Sequence, residues 1–245
     1  MRQAIICGKW KLPITVPLGS EAGLPKQKRS YLHYISEHGD LVAAKCLATE
    51  WLLSSVERAF TVREYFGGVG IVSTIVRNLL APHSHIISEL SAICVEQLKG
   101  AFTKKTEVVR QQDARQAMLG PEECRLHILD FPTFTLLHAK TKWSAQLASI
   151  FSTRAPYVIL TDTAASYIHV TKKRYSEVTG ADIKNMDDYT MAFSCELHKA
   201  YGYSITRAAY RGRNAAYYLL QPGLCGTIVS TSFPVRGSEH AFIIE

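Results

Sequence analysis

A glycine-rich turn between acidic residues is the part of this sequence with the plainest capacity to bind a ligand. The segment REYFGGVGIVSTIVRNLLAPHSHIISEL spans residues 63 to 90 and places Gly67, Gly68 and Gly70 between a strand pattern and a helix pattern. Glycine tolerates positive φ angles and lets a ligand approach the backbone, and the helix that follows offers N–H groups without intrahelical partners. The spacing predicts a cofactor site, with a tight turn that binds nothing as the alternative.

Two carboxylates narrow the kind of cofactor that this turn could bind. Glu64 comes just before the glycines, where it would repel a pyrophosphate but would suit an amino or sulfonium group. Glu89 ends the next predicted strand, where an acidic residue can reach the hydroxyls of a ribose. The glycines match the dinucleotide pattern GxGxxG only loosely, because Ser73 takes the place of the third glycine. The turn therefore favours S-adenosylmethionine over NAD.

The elements around the turn alternate between short β-rich runs and longer helical runs. Strands are predicted at 60–66, 84–90, 106–114, 124–132 and 155–165, and helices within 31–59 and at 70–80, 91–102 and 134–152. This alternation predicts an α/β fold, with a mostly parallel sheet and helices on both faces. Residues 201–223 predict an antiparallel hairpin at a sheet edge. We predict an extended N-terminal arm over residues 1–30 and one domain over residues 31–245.

In their order along the chain, these motifs resemble those of class I S-adenosylmethionine-dependent methyltransferases, especially the enzymes that act on nucleic acids. EYFGGVG is similar to the first motif of that family, which reads acidic–x–Phe–x–Gly–x–Gly, and QQDA falls where the family keeps an Asp near the adenine amine. The resemblance covers about residues 60 to 220 and implies a Rossmann-like methyltransferase fold. The cofactor-binding residues that it implies are Glu64, Phe66, Gly67, Gly68, Gly70, Glu89, Asp113 and Ala114.

The segment LHILDFPTF resembles the fourth motif of the amino-methylating members, in which an acidic residue or Asn precedes Pro–Pro–aromatic. Here only one proline is present, and an aromatic residue separates it from Asp130. Methyl transfer is an in-line displacement that chiefly needs a positioned, desolvated nucleophile. The resemblance implies that Asp130 and the backbone at Pro132 hold a base amine, and that Phe131 or Phe134 stacks on a flipped base. Helix capping by Asp130 and core packing of the phenylalanines are the alternatives.

The charge balance favours a polyanionic partner. The chain has 28 Lys and Arg against 21 Asp and Glu, a formal net charge of +7. Such an excess suits nucleic acid, although any one basic cluster is more often a solvated surface. The basic residues that we expect to contact phosphates are Lys26, Lys28, Arg29, Lys172, Lys173, Arg174, Arg207, Arg211 and Arg213, the last six on loops near the carboxyl-terminal edge of the sheet or its flanks.

Other residue patterns exclude several kinds of protein. The six cysteines are scattered without a CxxC pair and the nine histidines without an HxxxH pattern, so we expect reduced thiols, no metal and a cytoplasmic location. The apolar runs are too short to cross a bilayer, and the N-terminus shows no secretory signal, so we expect no membrane partner. Cys124 precedes the fourth strand, which disfavours methylation of a cytosine carbon.

The function that these patterns favour is methylation of a base nitrogen in DNA or RNA. A catalytically degenerate methyltransferase fold with a binding or structural role, as in a viral component, is the first alternative, since DFPTF departs from the family motif. A NAD-dependent oxidoreductase is the second alternative, disfavoured by Glu64. The segment YVILTDTAAS at 157–166 is similar to the fifth-strand segment of tRNA guanine-N2 methyltransferases, which makes Asp162 a second candidate for orienting the nucleophile.

Overall fold

The architecture is that of a computed structural model, which describes most of the chain. The described residues are 2–7, 10–17, 39–58, 60–130, 143–162, 176–177, 180, 182–211, 215–223, 226–233 and 243–244. Several residues singled out in the sequence lie outside the described residues, namely Phe131, Pro132 and Phe134, the basic residues at 26–29 and 172–174, and Arg213.

The strands form two sheets. They are β1 (Arg2–Cys7), β2 (Trp10–Pro17), β3 (Thr61–Glu64), β4 (Ser84–Glu89), β5 (Glu107–Gln111), β6 (Leu126–Leu129), β7 (Tyr157–Asp162), β8 (Tyr203–Arg211), β9 (Ala215–Pro222), β10 (Val229–Phe233) and β11 (Ile243–Ile244). The larger sheet has eight strands in the order β5-β4-β3-β6-β7-β9-β8-β10. All of its strands run in one direction except β9, which is antiparallel to both neighbours. The strand order reverses between β3 and β6, which is where open α/β sheets bind ligands.

Helices cover both faces of the large sheet. They are α1 (Gly39–Leu53), α2 (Ile71–Leu80), α3 (Ala92–Ala101), α4 (Ala114–Leu119), α5 (Ser144–Ser152) and α6 (Met186–Tyr201). Alternation along β7 shows the two layers, because Ile159 packs in one core cluster with α1 and α2, whereas Val158 and Leu160 pack in another with α4, α5 and α6. This confirms the predicted α/β class, a mostly parallel sheet with helices on both faces. None of the described helices is long and apolar enough to cross a membrane.

The predicted N-terminal arm contains two strands. β1 pairs antiparallel with β2 on one side and with β11 on the other, so that the two ends of the described chain meet in a small three-stranded sheet. The indole of Trp10 in β2 is buried and donates from Nε1 to Glu50 of α1 at 3.2 Å. The small sheet therefore contacts the main domain, and the domain boundary at residue 30 stays a prediction.

Several predicted elements end earlier than the sequence patterns suggested. The strand expected at 106–114 ends at Gln111, because Asp113 caps helix α4. The strand expected at 60–66 ends at Glu64, where the glycine turn begins. The hairpin β8–β9 is present near the sheet edge, but β10 pairs in parallel with β8 and forms the outermost strand. Helix α6 and strand β10 were not predicted.

Candidate functional site

The glycine turn leaves β3 and enters α2 in a conformation that few other residues could adopt. Gly68 and Gly70 have φ angles of 51° and 83°, in the left-handed region that favours glycine. Gly67 donates its N–H to the Ser88 carbonyl at 2.9 Å, which holds the turn against the end of β4. A Cβ at Gly67 would lie 2.5 Å from Cγ2 of Ile87. Sterics and backbone geometry therefore both require glycines in this turn.

Glu89 fixes the turn from the neighbouring strand. Its Oε2 accepts a hydrogen bond from the N–H of Gly68 at 2.7 Å, and its Oε1 accepts one from the N–H of Ser91 at 2.8 Å. The side chain is half-buried, and each carboxylate oxygen can accept a second hydrogen bond. Glu89 is thus a rigid acceptor at the mouth of the turn, and it could also accept from a ribose hydroxyl.

Glu64 is enclosed on the α2 side of the sheet. The carboxyl is fully buried, with Oε2 accepting from Oγ of Ser73 at 2.8 Å and lying 3.1 Å from Nε2 of His85. Among the described residues, Oε1 has no hydrogen-bond partner. Burial raises the pKa of Glu64 above its ordinary value, although the contacts with His85 and Ser73 oppose that shift. This carboxyl therefore braces the start of α2, and only Oε1 is left for a further donor.

Gln112 and Asp113, which follow β5, make hydrogen bonds at the carboxyl-terminal edge of the sheet. The N–H of Gln112 donates to the carbonyl of Glu89 at 3.0 Å, which ties the end of β5 to the end of β4. Asp113 caps α4, because its Oδ1 accepts from the N–H of Arg115 at 2.9 Å, and its Oδ2 pairs with the Arg115 guanidinium at 3.0 Å. These contacts lower the pKa of Asp113. Ala114, the first residue of α4, is buried.

Asp130 follows β6 and is held by two residues that the sequence patterns did not single out. Nζ of Lys45, on α1, lies 2.5 Å from Oδ2 of Asp130, and Oγ1 of Thr161 donates to Oδ1 at 3.0 Å. Burial by itself lowers the pKa of Lys45, but the Asp130 carboxylate and Tyr217 outweigh it and raise that pKa above its usual range. Asp130 is thus held by two contacts, and each of its oxygens can still accept a second hydrogen bond.

The parallel strands bring these groups to one edge of the sheet. Glu64 and Glu89 end β3 and β4, Asp113 follows β5, and Asp130 follows β6. Because all four strands run in the same direction, their carboxyl ends share an edge, with the reversal of strand order in its middle. Phe66 lies in the same turn and packs edge-on against Trp143, with ring centroids 6.2 Å apart.

Two of the arginines expected on loops lie within strand β8 instead, because the strand extends to Arg211. The Arg207 guanidinium lies 4.0 Å from the Trp51 ring centroid and donates to the Trp51 carbonyl at 2.8 Å, and burial lowers the pKa of Arg207. Arg211 donates from Nη1 to the hydroxyl of Tyr217 at 3.1 Å. Both side chains thus contact the protein itself, and their binding of phosphate stays a prediction.

Asp162, the second candidate for orienting a nucleophile, faces the other side of the sheet. It ends β7 and is fully buried, and its Oδ2 accepts from the hydroxyl of Tyr189 on α6 at 2.6 Å. On the opposite side of the sheet, which α1 covers, the residue that pairs with Asp130 is Lys45. A single lysine within the apolar run LVAAKCLATEWLL was the signal that could have identified it, since a buried lysine needs an anionic partner.

Comparisons with known proteins agree with this fold. No protein-family model matches the chain, and no curated protein matches its sequence. A solved structure of a Pyrococcus horikoshii protein assigned as an RNA methyltransferase is similar at a TM-score of 0.50 and 15% identity, over 74% of this chain and 85% of that one. Trm1 from Pyrococcus horikoshii, solved with S-adenosyl-L-methionine, is similar at 0.55 and 10%, over 86% and 60%.

A third similar structure is the methyltransferase domain of the bacterial protein CtHen1, with a TM-score of 0.52 and 13% identity, over 75% of this chain and 100% of that one. The chain therefore has the Rossmann-like fold of class I methyltransferases, as the sequence motifs predicted. In the part of the chain that the structure describes, no group of three or more His, Cys, Asp or Glu side chains could hold a metal ion.

Proposed function

We propose that this protein is an S-adenosylmethionine-dependent methyltransferase that modifies a base nitrogen in nucleic acid. The observation that carries the proposal is the pairing of β3 with β6, in which Glu64 lies opposite Ile128. This pairing sets the glycine turn beside Asp130 at the strand-order reversal, which supports a site in which the turn would bind a cofactor and Asp130 would orient a nucleophile. Similar folds that are methyltransferases add support.

The residues of the turn fit an adenosyl cofactor. Glu89 has acceptor capacity for the ribose hydroxyls, and Asp113 and Ala114 lie at the end of β5, where the adenine would be bound. Glu64 retains one unpartnered oxygen, Oε1, which suits an amino group better than a phosphate. The cofactor would supply an electrophilic methyl group on its sulfonium.

Asp130 would orient the nucleophile. A carboxylate that accepts an N–H from a base amine directs the nitrogen lone pair, and positioning of this kind accounts for much of the catalysis of methyl transfer. The ion pair with Lys45 and the hydrogen bond from Thr161 hold Asp130 in one orientation. Pro132 and Phe134 would complete the substrate side, as the motif resemblance implies.

Nucleic acid is the substrate class that the charge favours. The net charge of +7 would attract a polyanion, and the basic clusters at 26–29, 172–174 and 207–213 are the proposed phosphate contacts. The cytoplasmic location stays a prediction from the cysteine spacing.

The experiment is transfer of a labelled methyl group from S-adenosylmethionine to mixed DNA and RNA. The parent protein should label one of them, and Asp130→Ala should reduce the rate by about a hundredfold while cofactor affinity changes little. If Asp130→Ala keeps full activity, Asp162→Asn is the next variant to test, although that carboxylate accepts from Tyr189 on α6. Equal losses of rate and of cofactor affinity in Asp130→Ala would assign Asp130 a structural role instead.

A non-catalytic binding protein is the second candidate. The observation that favours it is the occupation of both Asp130 oxygens by Lys45 and Thr161, since a carboxylate already partnered can be purely structural. Binding of the cofactor and of nucleic acid, with no methyl transfer to any nucleic acid, would identify this function.

A further inference from the structure

The ion pair of Lys45 and Asp130 places a hydrogen-bond donor beside an acceptor at the substrate end of the site. Nζ and Oδ2 are 2.5 Å apart, and the side chains are 21% and 8% exposed. We propose that Lys45 and Asp130 together bind an adenine or cytosine, with Asp130 accepting from the exocyclic amine and Lys45 donating to the neighbouring ring nitrogen. The proposal rests on the proposed methyl transfer and adds the class of base to it.

Lys45 has donors to spare. An ammonium group carries three N–H bonds, and its ion pair with Asp130 uses one of them. Within the described residues, Asp130 is the only carboxylate that pairs with Lys45. A largely buried ammonium needs acceptors for its remaining N–H bonds, from water or from a ligand that displaces water. An unprotonated ring nitrogen is such an acceptor.

Asp130 has acceptor capacity on the same side. Oδ1 accepts from Thr161 at 3.0 Å, and Oδ2 faces Lys45, so each oxygen keeps a lone pair for a second donor. Thr161 and Lys45 approach from different elements, β7 and α1, and together restrict rotation of the carboxylate. The acceptor is therefore fixed relative to the donor.

A neighbouring donor and acceptor match particular bases. Asn and Gln side chains bind adenine through two hydrogen bonds of this kind, in which the side-chain oxygen accepts from the amine and the side-chain N–H donates to a ring nitrogen. The adenine amine lies between N1 and N7, and the cytosine amine lies beside N3. The edge that both bases share is that of adenine N1 and cytosine N3, and the proposed donation from Lys45 is to this edge. Guanine places an N1–H beside its amine, which would set a donor against Lys45, and its N3 lies next to the sugar. The pair should therefore select adenine or cytosine over guanine.

Binding to short single strands tests the proposal without requiring catalysis. The probes are oligouridylates with one central adenine, cytosine, guanine or 1-deazaadenine, titrated with and without S-adenosylhomocysteine. The parent should bind the adenine or cytosine probe more tightly than the guanine probe. Loss of N1 in 1-deazaadenine should weaken binding by about tenfold, as loss of a hydrogen bond to a charged group does.

Variants of Lys45 test whether this residue causes the weaker binding of the 1-deazaadenine probe. Lys45→Met should bind adenine and 1-deazaadenine equally, because the donor to N1 is gone, whereas Lys45→Arg should retain part of the difference. Lys99→Met is the charge-matched control, since Lys99 is exposed on α3 and should behave as the parent does. Circular dichroism shows whether each variant folds. If Lys45→Met does not fold, the binding of the four probes by the parent protein still tests the proposal.

The outcomes separate this inference from the proposed function. If the protein binds the guanine probe most tightly, or methylates guanine, the inference is wrong but the proposed methyl transfer still holds. Guanine would then be the substrate base, in line with the resemblance of residues 157–166 to guanine-N2 methyltransferases. Equal binding of adenine and 1-deazaadenine by the parent would also overturn it. A preference for adenine that depends on Lys45, without methyl transfer to any nucleic acid, would support base binding by Lys45 and Asp130 and would contradict the proposed enzymatic activity.

Discussion

The Glu89 carboxylate joins the structure of the turn to the proposed cofactor site. It holds the N–H groups of Gly68 and Ser91, and we propose that it also binds the ribose of the cofactor. Glu89→Gln keeps an acceptor for only one of these N–H groups and sets an amide donor against the other, so cofactor affinity should fall by about tenfold and stability should fall as well. Glu89→Ala should lower both cofactor affinity and stability.

Calorimetric titration measures the affinities, and thermal unfolding measures the stability. Unchanged cofactor affinity in both Glu89 variants would place the cofactor elsewhere.

His127 is a buried histidine, and its protonation should lower the free energy of unfolding at acid pH. Its ring contacts the hydroxyls of Tyr65 at 3.0 Å and Thr153 at 3.1 Å, and burial, with a contribution from Arg63, lowers its pKa from 6.5 to about 4. The unfolded chain therefore binds more protons between these values, and stability falls as the pH falls from 6.5 towards 4. The loss should amount to about 3 kcal/mol.

The test compares denaturant unfolding of the parent with His127→Gln across this range of pH. Glu64 acts in the opposite direction, because its raised pKa means that the folded protein holds the proton longer, and stability falls as the pH rises above 4.5. The difference between parent and variant removes that contribution. An acid slope in His127→Gln equal to that of the parent would contradict the account.

At the scale of elements, the turn between β3 and α2 should tolerate no side chain at Gly67. A Cβ there would lie 2.5 Å from Cγ2 of Ile87 and 3.0 Å from Cδ1 of Leu98, so Gly67→Ala must shift the Ile87 side chain or the turn itself. Overpacking of this kind costs about 1–3 kcal/mol, and the displaced turn should also weaken cofactor binding. The measurement is the free energy of unfolding.

A helical glycine provides the control for Gly67. A Cβ at Gly100, in α3, would meet nothing within 4 Å, so Gly100→Ala should raise stability by up to about 1 kcal/mol. A Gly67→Ala variant as stable as the parent would mean that β4 and the turn are less closely packed than described.

The sequence predicted the elements whose signals are local. The strand, the glycine turn and helix α2 follow one another within residues 61–80, so their periodicity and the need for positive φ could be seen together. Helix α6 was missed even though Asn185 and Asp188 form a capping box at its start, a signal that was present in the sequence. Strand β10 reads VSTSF, which is too short and polar to identify without its partner β8.

The site was predictable only in part, because its contacts connect distant parts of the chain. Asp130 and Glu89 could be placed from motif spacing, but nothing local indicates that Lys45, 85 residues before Asp130, pairs with it. Arg207 shows the converse, since its position in a basic cluster gave no sign of its contact with Trp51, which lies 156 residues earlier. Tertiary packing decides which charged groups remain open to a ligand.

At the scale of the whole molecule, binding of nucleic acid should depend on salt. Each phosphate contact contributes about 0.9 to the slope of log affinity against log salt for duplex DNA. Neutralising Lys172, Lys173 and Arg174 together should flatten the slope by about 1 for each phosphate that these side chains no longer bind. Arg207→Gln should change it less, because that guanidinium contacts α1. Equal slopes for the parent and the triple variant would make that cluster ordinary solvated surface.

The most direct test of the central claim is a calorimetric titration of the purified protein with S-adenosylmethionine, with NADH as the comparison. We expect S-adenosylmethionine to bind at a single site and NADH to produce no binding heat, because Glu64 and the missing third glycine disfavour a pyrophosphate. Glu89→Gln should weaken the binding in the same titration. Binding of NADH without binding of S-adenosylmethionine would contradict the account.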